Sequence, residues 1–213
     1  MSLLARLTRF LRRADHPETS APDVEEGAVP QWLIIGLGNP GAEYAVTAHN
    51  IGYMAADELA PATGYSPQRG NQALVQHLDV DGTPVALVRS TTYMNLSGEA
   101  VAPLAARWGI APDHVIALHD ELDLPRGTVR LKLGGSENGH NGLKSLSEQL
   151  GTRDYLRVRI GIGRPAAGAT VTDHVLGAID FDAAAACERA ARAARLLVTS
   201  GLPQAQNTIH AEK

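Results

Sequence analysis

The amino-acid sequence predicts a single globular α/β domain with a mixed, mostly parallel β-sheet flanked by helices. Three observations predict it. The apolar run Trp32–Ile35 enters a glycine-rich turn, Gly36–Gly41. Beyond it, strand-like and helix-like patterns alternate along the chain, the signature of a layered α/β fold. An Asp81-Gly82 pair between two apolar runs signals a hairpin, which adds an antiparallel pair to the sheet.

Each element has its own warrant. Trp32–Ile35 reads as a buried strand, and Ile51–Ala60 places apolar residues at helical spacing. Ala73–Val80 and Pro84–Arg89 are the two arms of the hairpin. Leu96–Trp108 reads as a helix in which Pro103 marks a kink or break. Val115–Leu118 is a short buried strand ending at His119-Asp120. Thr128–Leu133 and Tyr155–Ile162 alternate as half-exposed strands do, with the helix Gly142–Leu150 between them. The alanine-rich stretch Ala183–Ser200 is the terminal helix.

Residues 1–30 are expected to lie outside the fold as a disordered extension. Arg6, Arg9, Arg12 and Arg13 make its start basic. Asp15, Glu18, Asp23, Glu25 and Glu26, interspersed with prolines, make the rest an acidic stretch that cannot bury a core. Residues 31–213 are then the folded domain. Apolar runs such as Trp32–Ile35 and Val85–Val88 are far short of a membrane span. The one cysteine, Cys187, allows no internal disulfide, which fits a reducing, cytoplasmic setting. The formal net charge of −4 over 213 residues argues against a strongly basic nucleic-acid binder.

The turn Gly36-Leu37-Gly38-Asn39-Pro40-Gly41 satisfies the dinucleotide-binding pattern, but its context does not. Pro40 removes a backbone N–H from the turn that would face a pyrophosphate. The acidic residues about twenty positions on, Asp57 and Glu58, fall in a helical pattern rather than at a strand end. What the turn offers is Asn39 at the carboxyl end of a strand, either aimed at a ligand or closing its own Asx-turn. His114, His119, Asp120, Glu121 and Asp123 cluster in sequence without metal-ligand spacing, so no metal site is expected. No nucleophilic serine or cysteine stands in a recognisable context.

Five blocks carry a resemblance: GLGNPGAEYAVTAHNIG at 36–52, TYMNLSG at 92–98, HDELDLP at 119–125, GHNGLK at 139–144 and RIGIGRP at 159–165. In this order and spacing the chain resembles the bacterial-type peptidyl-tRNA hydrolases, from about Trp32 to the stretch 207–211. The resemblance implies a cofactor-free enzyme that hydrolyses the ester joining a peptide to the terminal ribose of tRNA. It implies His49 and Asp120 as the catalytic pair, with Asn39, Asn95 and Asn141 lining the site. Tyr44 and Tyr93, inside the first two blocks, are expected to bind substrate beside them. A monomer is expected, with peptidyl-tRNA as its partner and neither membrane nor metal.

The residue types suit that reaction. An imidazole, with an ordinary pKa of about 6.5, is a competent general base near neutral pH. A carboxylate on its other nitrogen fixes the tautomer and stabilises the imidazolium. Asparagine amides both donate and accept, as a peptide and an oxyanion require; Asn141, before a helix, can also be a plain N-cap. Residues 124–165 hold eight basic and three acidic residues, a local charge of +5 within an acidic chain. Arg130 shares a strand face with Lys132, and Arg157 with Arg159, an arrangement that can track a phosphate backbone. The resemblance implies tRNA contacts at Arg130, Lys132 and Arg159. Ala48 departs from the family's basic residue before the histidine, and Ser136-Glu137-Asn138 replaces a glycine-rich run, setting Glu137 beside the Gly134–Gly142 loop whose backbone donors could hold a terminal phosphate. The small residues after Arg164 suit a lid over 163–173. A non-catalytic RNA-binding relative of the same fold is the alternative reading.

Overall fold

A computed structural model describes residues 28–212. Seven strands form one sheet: β1 (Trp32–Gly36), β2 (Ser66–Pro67), β3 (Ala73–Val80), β4 (Thr83–Ser90), β5 (Val115–Glu121), β6 (Val129–Leu133) and β7 (Leu156–Gly161). Their order is β2-β3-β4-β1-β5-β7-β6. The β4-β1, β1-β5 and β5-β7 pairs are parallel and occupy the middle. The β3-β4 hairpin and the β6-β7 pair close the edges antiparallel. The helices are α1 (Ile51–Asp57), α2 (Ser97–Trp108), α3 (Asn141–Leu150), α4 (Val171–Val175) and α5 (Ala183–His210).

Apolar side chains alternate between two cores, one on each face of the sheet. Ile34, Ile116, Leu118, Val158 and Ile160 face α1 and α5. Leu33, Ile35, Ala117 and Val115 face the opposite way, towards residues of α2 and α3. A sheet covered on both sides explains why the central strands read as continuous apolar runs. The exposed edge at β6 is blunted by the end of α5: His210 Nε2 accepts from Leu131 N at 2.9 Å, and Gln206 Nε2 donates to Leu131 O at 2.9 Å.

Several boundaries differ from the sequence expectation for physical reasons. α1 stops at Asp57 rather than Ala60, because Pro61 disfavours helix in the residue before it. Met94–Leu96 form a 3₁₀ turn, and α2 then runs through Pro103 as one element. β5 continues to Glu121, since His119, Asp120 and Glu121 pair with Arg159, Ile160 and Gly161 of β7. α5 kinks at Gly201, where φ is 73°, and resumes with Pro203 in its next turn. Of the extension expected over 1–30, residues 1–27 lie outside the described residues. Among the described residues no helix is long and apolar enough to cross a membrane.

Candidate active site

Parallel strands converge their carboxyl ends on one rim of a sheet, where α/β proteins bind ligands. Here the rim is built by close glycine contacts. A Cβ on Gly52 would lie 2.3 Å from Leu118 O and 2.6 Å from Leu37 O, so only glycine lets α1 sit this close to β1 and β5. Just before α1, the 3₁₀ turn Ala48–Asn50 carries His49. Asn50 ties that turn to the glycine loop: its Oδ1 accepts from Asn39 N at 2.8 Å and its Nδ2 donates to Asn39 O at 2.9 Å.

The tie brings His49 Nδ1 to 2.9 Å from Asp120 Oδ1, 71 residues away in sequence. A third group meets the same oxygen. His140 Nε2 lies 3.0 Å from Asp120 Oδ1, and the three side chains are 12%, 3% and 7% exposed for His49, Asp120 and His140. His140 is the N-cap of α3: its Nδ1 accepts from Gly142 N at 3.1 Å and Leu143 N at 3.3 Å. An Nδ1 that accepts backbone N–H groups carries no proton, so the His140 proton is on Nε2 and is donated to Asp120. His49 likewise donates from Nδ1, which in the neutral ring puts the lone pair on Nε2.

Burial by itself raises the Asp120 carboxyl, but His140 and then His49 together hold it well below the usual carboxylate range. Behind the cluster His119 is buried, donating from Nδ1 to Asp120 O at 2.6 Å. Burial, then the neighbouring His140, pushes its pKa well down, so the ring stays neutral. Burial raises the Cys187 thiol to about 12, which removes it as a nucleophile.

His49, Asp120 and His140 bring two imidazoles and a carboxylate within 4.8 Å of one another, a grouping with the composition of a metal site that sequence spacing did not suggest. The donor set fits hydrogen bonding instead. His140 uses Nδ1 as a helix cap, and its Nε2 bears a proton where a metal ligand needs a lone pair.

A cleft of about 410 Å³ opens beside the cluster, lined by His49, Asp120, His140, Asn141 and Glu121, with Arg164, Val171 and Val175 as its far wall. The segment expected as a lid thus forms one side of the cleft, with α4 capped by Thr170, whose Oγ1 accepts from Asp173 N at 3.0 Å. Asn141 is exposed and is the first residue of α3; the cap is His140, not Asn141. Asn39 closes no local Asx-turn. Its Oδ1 accepts from Met94 N at 2.8 Å, fixing the amide and leaving Nδ2 as the free donor. Asn95 is exposed on the next residue. Tyr44 and Tyr93 meet edge to face at 6.5 Å, and Tyr93 is 58% exposed. Among the described residues, Asn39, Asn95, Tyr44 and Tyr93 lie outside the lining of the His49 cleft.

The basic strands divide. Arg157, expected on an open face, is 0% exposed. Its guanidinium donates to Ser136 O at 2.7 Å and Gly135 O at 2.9 Å, fastening the loop that leads to His140. Glu137 is also buried there and pairs with Arg153 at 2.7 Å, so its charge is balanced. Arg130 stands opposite Arg159, and Lys132 opposite Arg157. Arg159 Nε donates to Glu121 Oε2 at 3.0 Å. Lys132 has no ion pair among the described residues, and burial, then Arg159 and Arg157, depress its pKa. Like charges directly across a ladder are destabilising, and here Arg157 is relieved by loop carbonyls and Arg159 by Glu121.

Fold and site together define an α/β protein with a histidine–carboxylate cluster at the strand ends and a basic face beside it. The profile of the family described as peptidyl-tRNA hydrolase matches residues 33–213, and the chain belongs to that family, whose members hydrolyse esters. It is 56% identical over 183 residues to peptidyl-tRNA hydrolase 2 of Corynebacterium glutamicum, covering 84% of this chain and 88% of that one. It is 47% identical over 191 residues to the peptidyl-tRNA hydrolase of Pseudarthrobacter chlorophenolicus, covering 85% and 96%. The crystal structure of peptidyl-tRNA hydrolase from Acinetobacter baumannii superposes with a TM-score of 0.78 at 37% identity, covering 88% of this chain and 99% of that one.

Proposed function

We propose that this enzyme hydrolyses the ester bond of peptidyl-tRNA released prematurely from ribosomes, recycling free tRNA in the cytoplasm as a monomer, with His49 as general base. The observation that carries the reading is the His49 ring. One nitrogen is engaged by a buried carboxylate, and the ring lines a cleft.

Water gives a proton to His49 Nε2 while its oxygen bonds to the ester carbonyl carbon. Asp120 stabilises the imidazolium that forms. The amides of Asn39 and Asn95, outside the cleft, hold the peptide portion of the substrate, and Asn141, which lines the cleft, positions the water. Tyr44 and Tyr93 supply an aromatic surface beside the peptide. Collapse breaks the carbon–oxygen bond to the ribose, and the proton on His49 passes to the departing ribose oxygen. Arg130, Lys132 and Arg159 contact tRNA phosphates without reading sequence. No metal or cofactor enters any step.

The test is release of free tRNA from an N-blocked aminoacyl-tRNA by the purified protein. A general base contributes roughly 10²–10⁴-fold, so His49→Ala loses turnover by that order while still binding tRNA. Near wild-type turnover of that variant refutes the base. A wild-type protein that binds tRNA but releases none is the non-catalytic relative.

A further inference from the structure

On β5, Glu121 follows Asp120 and so faces the other side of the strand. It is 4% exposed, and burying a carboxylate is costly unless it is paired. Its Oε2 accepts from Arg159 Nε at 3.0 Å and its Oε1 from Asp123 N at 3.1 Å. The other acids nearby are engaged elsewhere, Glu137 by Arg153 and Asp123 by Arg164. Glu121 is therefore the acid that answers Arg159 on a face also carrying Arg130 and Lys132.

The contact is one-sided in a useful way. Glu121 takes only Nε of Arg159, and the two terminal nitrogens make no hydrogen bond among the described residues. A guanidinium held by Nε keeps its outer edge for a second anion, the edge that meets phosphate bidentately. A phosphate arriving there meets an aimed guanidinium and, just behind it, a fixed negative charge that no solvent screens well.

We propose that Glu121 is the built-in counter-ion of the phosphate-binding face, aiming Arg159 while weakening the face's hold on tRNA so that freed tRNA departs. The inference rests on assigning Arg130, Lys132 and Arg159 to tRNA phosphates. It assigns Glu121 to product release and not to ester cleavage.

Glu121→Gln removes the charge and keeps an oxygen for Arg159 Nε. The measurement is the dissociation constant and off-rate of deacylated tRNA over a range of salt. The expected result is binding tighter by on the order of ten-fold at low salt, with a correspondingly slower off-rate, the difference shrinking as salt rises. In Glu121→Gln/Arg159→Gln the tightening disappears. A residue that merely supports the fold can only weaken binding, so equal or weaker tRNA affinity in Glu121→Gln overturns the proposal. Persistence of the tightening in the double variant does so too. If Glu121→Gln does not fold, Glu121→Asp carries the test: it draws the charge back by one methylene, and weaker tRNA binding overturns the proposal there as well. Failure of the underlying assignment looks different: Lys132→Gln and Arg159→Gln in the otherwise wild-type chain would then leave tRNA affinity unchanged.

Discussion

Replacing His140 with asparagine separates the two tasks of this side chain. Its Nδ1 caps α3 through Gly142 N and Leu143 N, and its Nε2–H reaches Asp120. Asparagine is among the best N-cap residues, so the cap survives. The shorter side chain cannot also span to Asp120 Oδ1, and one of the carboxylate's two imidazole donors is lost. A hydrogen bond to a buried charged group is worth about 1.5–3 kcal/mol, which sets the expected loss of folding stability in His140→Asn. For a domain of this size that is a fall in Tm of roughly 3–12 °C. His140→Ala loses the cap as well, about 1 kcal/mol more. Outer groups that orient a functional ligand typically matter 10–100-fold, so the turnover of His140→Asn falls by about ten-fold as Asp120 is held by His49 alone. Urea denaturation and tRNA release read the two effects separately. A His140→Asn protein that melts and turns over like wild type refutes the bond. Equal stability of the Asn and Ala variants refutes the cap.

Gly52→Ala drives a Cβ into two backbone oxygens, at 2.3 and 2.6 Å, and backbone cannot swing aside as a side chain can. It costs on the order of 3 kcal/mol and lowers turnover by moving His49, read by urea denaturation and tRNA release; wild-type stability would contradict the contact. His119 supplies a pH test. Its folded pKa is depressed, mainly by burial, so the unfolded chain binds the extra proton; stability is intact above about pH 6.5 and is lost as pH falls below it. Replacing His119 with asparagine therefore flattens the urea midpoint against pH below about 6.5, and an unchanged profile refutes the buried neutral ring.

Much of this arrangement was legible in the sequence, and the misses have definite causes. The apolar run of β1 and the Asp81-Gly82 hairpin are local signals, and the structure has both. His49 and Asp120 were marked by the blocks around them. His140 stood inside one of those blocks but went unmarked, because its value depends on the start of α3 reaching within 3.0 Å of the end of β5. No local pattern reports that distance, although a histidine just before a helix start was a usable cue. Arg157 shows the limit of periodicity. The Tyr155–Ile162 alternation correctly places Arg157 and Arg159 on one face, but it says nothing of the Gly135–Ser136 backbone that folds over the first of them. Gly201 and Pro203 are genuine stop signals, and φ does turn positive at Gly201. The chain nevertheless resumes a helix beyond them, because Gln206 and His210 satisfy the edge of β6.

The end of β5 carries two buried carboxylates with different partners. Successive strand residues point to opposite faces, so Asp120 meets the two histidines while Glu121 meets Arg159. A slip of one residue would exchange the two carboxylates, leaving His49 without its buried partner and Arg159 without its anchor. The register is pinned on both sides, by Leu37 N donating to Leu118 O at 3.0 Å from β1, and by the pairing with β7. The whole-chain charge of −4 concealed this division. What matters is which face each charge occupies, and the alternation of one parallel strand decides it.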